Sequence, residues 1–110
     1  MRTLHHLWLS AHARKVRVVL GEKKLAFRLE AEKTWERRPE FLALNPAGEV
    51  PVLIEPDGHV LADHGAICEY LEEVVPEPGL IGSDPKERAE VRRLSAWFDQ
   101  KFEAEVTRFL

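Results

Sequence analysis

The stretch from Val50 to Asp63 constrains the fold more than any other part of the chain. Two short apolar runs, Val50 to Glu55 and His59 to Asp63, flank Pro56-Asp57-Gly58. Runs of that length around such a turn form an antiparallel hairpin. Upstream, the pattern reads strand, helix, strand. Leu4 to Leu9 is apolar enough for a first strand, although His5 and His6 interrupt its alternation. Ser10 then stands at a helix N-cap position, and Val16, Val19 and Leu20 recur at helical spacing between Ala13 and Lys23. Phe27, Leu29 and Ala31 alternate with Arg28, Glu30 and Glu32, the pattern of a half-buried strand. A right-handed crossover makes the first two strands parallel. The hairpin adds an antiparallel edge, so the sheet is mixed.

Local punctuation supplies the remaining elements. Pro39 followed by Glu40, Phe41 and Leu42 opens a short helix. Asn45-Pro46 ends it, because the residue before proline is pushed away from helical angles. Ala66, Ile67, Tyr70, Leu71 and Val74 mark another helix. The expected order is therefore βαβαββα, a thioredoxin-like α/β unit with a four-stranded mixed sheet. It is expected to span residues 1–78, with a Pro/Gly-rich linker at 79–84. Asp84-Pro85-Lys86-Glu87 starts a last helix over 85–110, with an acidic cap, proline at the first position and glutamate three residues beyond the cap. Val91, Leu94, Phe98, Phe102, Val106 and Phe109 form a stripe along it, with Trp97 beside them. Such a stripe needs burial. The expectation is a piece of a longer protein, the first helix of a truncated all-helical domain, whose stripe promotes self-association.

Composition narrows the classes of function. Among 110 residues, a formal net charge of −3 leaves no cationic excess for nucleic acid. No apolar run approaches the ~20 residues of a membrane span, and Met1 to Lys15 lacks a signal-peptide core. Neither nucleic acid nor membrane is an expected partner, and the expected setting is cytoplasmic. The single cysteine, Cys68, excludes a C-x-x-C redox pair and reads as a packed thiol. Five histidines are numerous for this length. His12 and His64 sit at helix starts on the same end of the sheet, yet without an i,i+4 histidine pair or a cysteine cluster no metal site is expected. Trp35 is expected to cover the short helix that follows it.

Three segments in order resemble the cytosolic glutathione S-transferases. They are Ser10 to Arg17 (SAHARKVR), Phe41 to Leu53 (FLALNPAGEVPVL) and Leu61 to Leu71 (LADHGAICEYL). The stretch DPKERAEVRRLSAWFD is similar to the opening of that family's helical domain. The resemblance implies glutathione as co-substrate, activation of its thiol for attack on an electrophile, and a homodimer. By the same resemblance Ser10 is the catalytic residue, holding the sulfur as thiolate. Its bland reading is an N-cap. Val50, with a cis bond to Pro51, is implied to pair with the cysteinyl part of glutathione. Asp63 is implied to meet the γ-glutamyl ammonium. Ala11 replaces the proline usual in the family. His64 stands where the family has serine, against the γ-glutamyl carboxylate, or else fills the pocket. Glu49, near the glycyl end, departs from the neutral or basic residue usual there, and Arg37 and Arg38 stand by to offset it or simply form a solvated face. The segments WERRPEFLALNPAGEVPVL and AWFDQKFEAEV are also similar to bacterial relatives that include proteins of the cell-division machinery. A non-catalytic scaffold with a protein partner is therefore the alternative function.

Overall fold

The structure is a computed structural model that describes residues 1–82 and 84–105, the side chains of Phe98 and 102–105 excepted. The stripe positions Phe98 and Phe102 thus lack described side chains, and Val106 and Phe109 lie outside the described residues. The elements are β1 (Arg2–His6), α1 (Ala11–Glu22), β2 (Phe27–Ala31), a 3₁₀ turn (Thr34–Glu36), α2 (Pro39–Leu44), β3 (Val52–Ile54), β4 (Val60–Ala62), α3 (His64–Val74) and α4 (Pro85–Glu105). The sheet order is β2-β1-β3-β4. β1 and β2 are parallel, with Leu4 opposite Leu29, and the β3–β4 hairpin is antiparallel to β1, with Leu4 opposite Leu53. This is the thioredoxin-like arrangement expected from the pattern, followed by a long helix.

β1 begins two residues earlier than expected and stops at His6 rather than Leu9. The Ser10 N–H donates to the Leu7 carbonyl at 3.1 Å, closing a turn that leads straight into α1. Trp8 and Leu9 therefore stand on the surface, 67% and 71% exposed, instead of in the sheet. The core lies where α1 and α3 pack on the sheet. Leu4, Val16, Leu20, Leu53, Ile67 and Leu71 are fully buried and form one cluster. Each contributes about 1.5–3 kcal/mol by leaving water. On the opposite face α2 contributes Phe41, whose ring lies 5.7 Å from that of His5.

Lys23, Glu32 and Glu55 are buried charged residues, and Glu32 is so against its sequence pattern. Alternation placed Glu32 on the polar side of β2, but it follows the strand and is 1% exposed. Arg38 clasps it through two hydrogen bonds of 2.6 and 2.9 Å. Those bonds, more than anything else, hold the Glu32 carboxyl below its ordinary range. Arg38 is thereby committed to Glu32, so it does not offset Glu49. Lys23, just beyond α1, buries its whole side chain. Its Nζ donates to the carbonyls of Val75 and Pro78 at 2.6 and 2.8 Å and pairs with Glu72 at 2.8 Å, tying α1 to the end of α3.

Among the described side chains of α4, Val91 of the expected stripe is partly buried together with Ser95 and Asp99 at four-residue spacing, whereas Leu94, and Trp97 beside the stripe, are exposed. Two polar contacts dock this face, Lys15 to Asp99 at 3.0 Å and Arg92 to Glu69 at 2.6 and 2.8 Å. Its N-terminus is as the sequence suggests: the Asp84 carboxylate accepts the Glu87 N–H at 2.9 Å, with Pro85 at the first position.

Candidate functional site

The starts of α1 and α3 and the loop before β3 enclose a cleft of about 220 Å³, with His12, Glu49, Val50, Pro51, Asp63 and His64 on its walls. Local chemistry places each of them. The Asn45 side chain donates to the Glu49 carbonyl at 2.9 Å and accepts the Ala47 N–H at 3.3 Å, so the residue that ends α2 also shapes the loop. Gly48 is required there. Its φ is +70°, and a Cβ would lie 2.7 Å from the Arg37 guanidinium and 3.1 Å from Leu42. Arg37 thus packs under the loop that carries Glu49. The Val50–Pro51 peptide bond is cis, and β3 begins at the next residue.

Ser10 caps α1: its Oγ accepts the Ala13 N–H at 3.1 Å. The wall that α1 gives the cleft is formed by His12, two residues further on. Asp63 caps α3 in the same way, its carboxylate accepting the Ala66 N–H at 3.2 Å. Asp63 holds φ at +74°, uncommon for a residue with a side chain. Strain of this kind persists where the surroundings over-determine it, which is typical of binding sites.

His12 and His64 meet, as their positions at two helix starts suggested. Their rings stack with centroids 3.9 Å apart and planes 4° from parallel. His64 Nδ1 lies 3.6 Å from Asp99 Oδ2, and the same oxygen binds Lys15. Burial is the main cause that lowers the His64 pKa below the ordinary histidine value. His12 and the Lys15 ammonium act in the same direction, while Asp99 and Asp63 oppose it. Asp99 is the residue that sequence reasoning missed. The only signal available was its four-residue spacing from Val91 and Ser95, which the stripe of larger apolar residues outweighed. Beyond His64 a second cavity of about 370 Å³ opens between α3 and α4. Cys68 lies on its wall, partly buried against the core, with its thiol pushed up to about 11 chiefly by burial. That agrees with a packed thiol rather than a nucleophile. Trp35 is 69% exposed and does not serve as the expected cover for α2. No helix among the described residues is long and apolar enough to cross a membrane.

A four-stranded mixed sheet carrying a capped helix start, a proline-bordered loop and a second capped helix start around one cleft defines a thioredoxin-like unit. Residues 9–74 match the N-terminal domain of glutathione S-transferase, and this chain belongs to that family. It is 50% identical over 112 residues to FtsZ-localized protein A of Caulobacter vibrioides, covering 99% of this chain and 49% of that protein. The crystal structure of a glutathione S-transferase from Rhodospirillum rubrum superposes with a TM-score of 0.95 at 60% identity, over 98% of this chain and 49% of the other. A glutathione S-transferase from Methylobacillus flagellatus with glutathione bound superposes with a TM-score of 0.85 at 37% identity, over 96% and 52%. The chain therefore spans about half the length of these relatives.

Proposed function

We propose that this chain is the glutathione-binding half of a bacterial, cytoplasmic, homodimeric glutathione S-transferase-like protein. Residues 1–78 would hold the tripeptide, and 85–110 would open the helical domain. The observation that carries this reading is Asp63, held at φ +74° on the wall of a cleft that also contains the cis-proline loop. One carboxylate oxygen caps α3, which leaves the other for the γ-glutamyl ammonium. The positive end of α3, with the His64 ring beside it, receives the γ-glutamyl carboxylate. The Val50 backbone pairs with the cysteinyl unit. Glu49 lies toward the glycyl end, where its charge opposes tight binding. A hydroxyl offers one donor and two acceptor positions, so Ser10 accepts from Ala13 and still donates to the sulfur. The thiol proton leaves to water, and the thiolate forms the carbon–sulfur bond as the electrophile's leaving group departs with the electron pair of the bond that breaks.

A second reading is favoured by the relationship to a protein named for its localization with FtsZ. On that reading the protein is a scaffold with a protein partner, and the stacked imidazoles occupy the place of the tripeptide. Titration calorimetry of the full-length protein with glutathione separates the two. The first reading expects saturable binding, lost on Asp63→Ala and retained within about threefold on Ser10→Ala, because the ammonium end anchors while the sulfur end reacts. Absence of binding in wild type and in His64→Ser alike overturns it in favour of the scaffold.

A further inference from the structure

We propose that His12, His64 and Asp99 form a site for a borderline divalent transition-metal ion, Zn²⁺ or its spectroscopic substitute Co²⁺. The three residues come from α1, α3 and α4, and one donor atom from each lies within 4.8 Å of the other two. Zinc binds imidazole nitrogen at about 2.0–2.1 Å and carboxylate oxygen at about 2.0–2.2 Å. Tetrahedral angles then put two donors about 3.4 Å apart. His64 Nδ1 and Asp99 Oδ2, at 3.6 Å, are too far apart for a hydrogen bond and close to the separation that a shared ion imposes. His64 Nδ1 is buried and has no hydrogen-bond partner. An ion would satisfy it directly. The stacked rings must tilt out of parallel to aim two nitrogens at one point, a rotation about side-chain bonds that leaves the helices in place.

The donor set suits this class of ion. Two imidazoles and one carboxylate favour zinc, cobalt, nickel or copper over magnesium or calcium, which select oxygen. Three ligands among the described residues match the protein donor count of zinc sites that bind an exogenous ligand at the fourth position rather than serve as structural staples. His64 borders both cavities, so that position is reachable from the cleft and from the space beside Cys68. Lys15 works against the ion. Its ammonium sits 3.0 Å from Asp99 Oδ2 and competes for the carboxylate. A metal titration without glutathione and a glutathione titration without metal read the two assignments separately, so their failures are distinguishable.

The test uses the full-length protein in thiol-free buffer, titrated with Co²⁺ and followed by visible d–d absorption, and with Zn²⁺ by calorimetry. One equivalent is expected to bind, with the intense visible bands of a low-coordinate site. Loss of an outer-shell partner alone typically weakens metal affinity about 10–100-fold, so His12→Ala, His64→Ala and Asp99→Asn are each expected to weaken binding at least tenfold. Lys15→Met is expected to tighten binding several-fold, a gain that a misfolded variant cannot mimic. His59→Ala, on the exposed hairpin, is expected to change nothing. Absence of saturable binding overturns the proposal. So does equal binding by wild type and the Asp99→Asn and His64→Ala variants, or weaker binding by Lys15→Met.

Discussion

Ser10→Ala tests both roles of one hydroxyl. As a cap, Ser10 accepts the Ala13 N–H at 3.1 Å, and losing such a cap costs about 1 kcal/mol. In a protein of roughly 150–250 residues that lowers Tm by about 2–4 °C. In its proposed role as thiolate donor, the same hydroxyl would make a hydrogen bond to a charged acceptor worth about 1.5–3 kcal/mol. At about 1.36 kcal/mol per pKa unit, its loss raises the pKa of the bound glutathione thiol by about one to two units. The same energy lowers turnover about 10- to 150-fold. The assay is ultraviolet titration of the bound thiolate in full-length protein, with thermal melts alongside. Ser10→Asp keeps a cap acceptor but offers no hydroxyl to the sulfur. It is expected to retain Tm within about 1 °C while raising the thiol pKa at least as far, since aspartate caps as well as serine. If Ser10→Ala lowers Tm yet leaves the thiol pKa unchanged, Ser10 is a cap and nothing more, and the proposed catalytic role is refuted.

Two further predictions concern the buried charges. Lys23→Met leaves the Val75 and Pro78 carbonyls and the Glu72 carboxylate without their shared donor. Breaking a buried pair in this way destabilises by about 3–5 kcal/mol, which urea unfolding measures, and a loss under about 1 kcal/mol would contradict the tie between α1 and the end of α3. Glu32 has its folded pKa lowered, first by the hydrogen bonds from Arg38. Its stabilising effect is therefore fully present above about pH 4.5, its unfolded value, and is lost as pH falls through the lower folded value. Melting temperature followed between pH 7 and pH 3 should fall more steeply in that acid range for wild type than for Glu32→Gln, whose Tm starts lower. Parallel curves would mean that the pair carries no linkage.

What the sequence determined by itself is local. Ser10, Asp63 and Asp84 stand where helix amides need an acceptor, and each accepts one. Asn45-Pro46 stops α2, and Pro56-Asp57-Gly58 turns the hairpin. Such signals depend on backbone angles and on amides a few residues away, so a linear reading finds them. The meeting of His12 with His64 followed from helix starts gathered at one end of a sheet. Other features were decided by the tertiary structure. Glu32 is buried because Arg38, six residues on, folds back over it, although alternation places it outward. Among the described side chains of α4, Asp99 and Arg92 are held by Lys15 and Glu69 on helices far away in sequence, while Leu94 and Trp97 stay exposed. Asp99 therefore joins His12 and His64 across three helices, a grouping that no spacing encodes. Periodicity records which residues share a face of one element. Only packing of the elements on one another decides what that face meets.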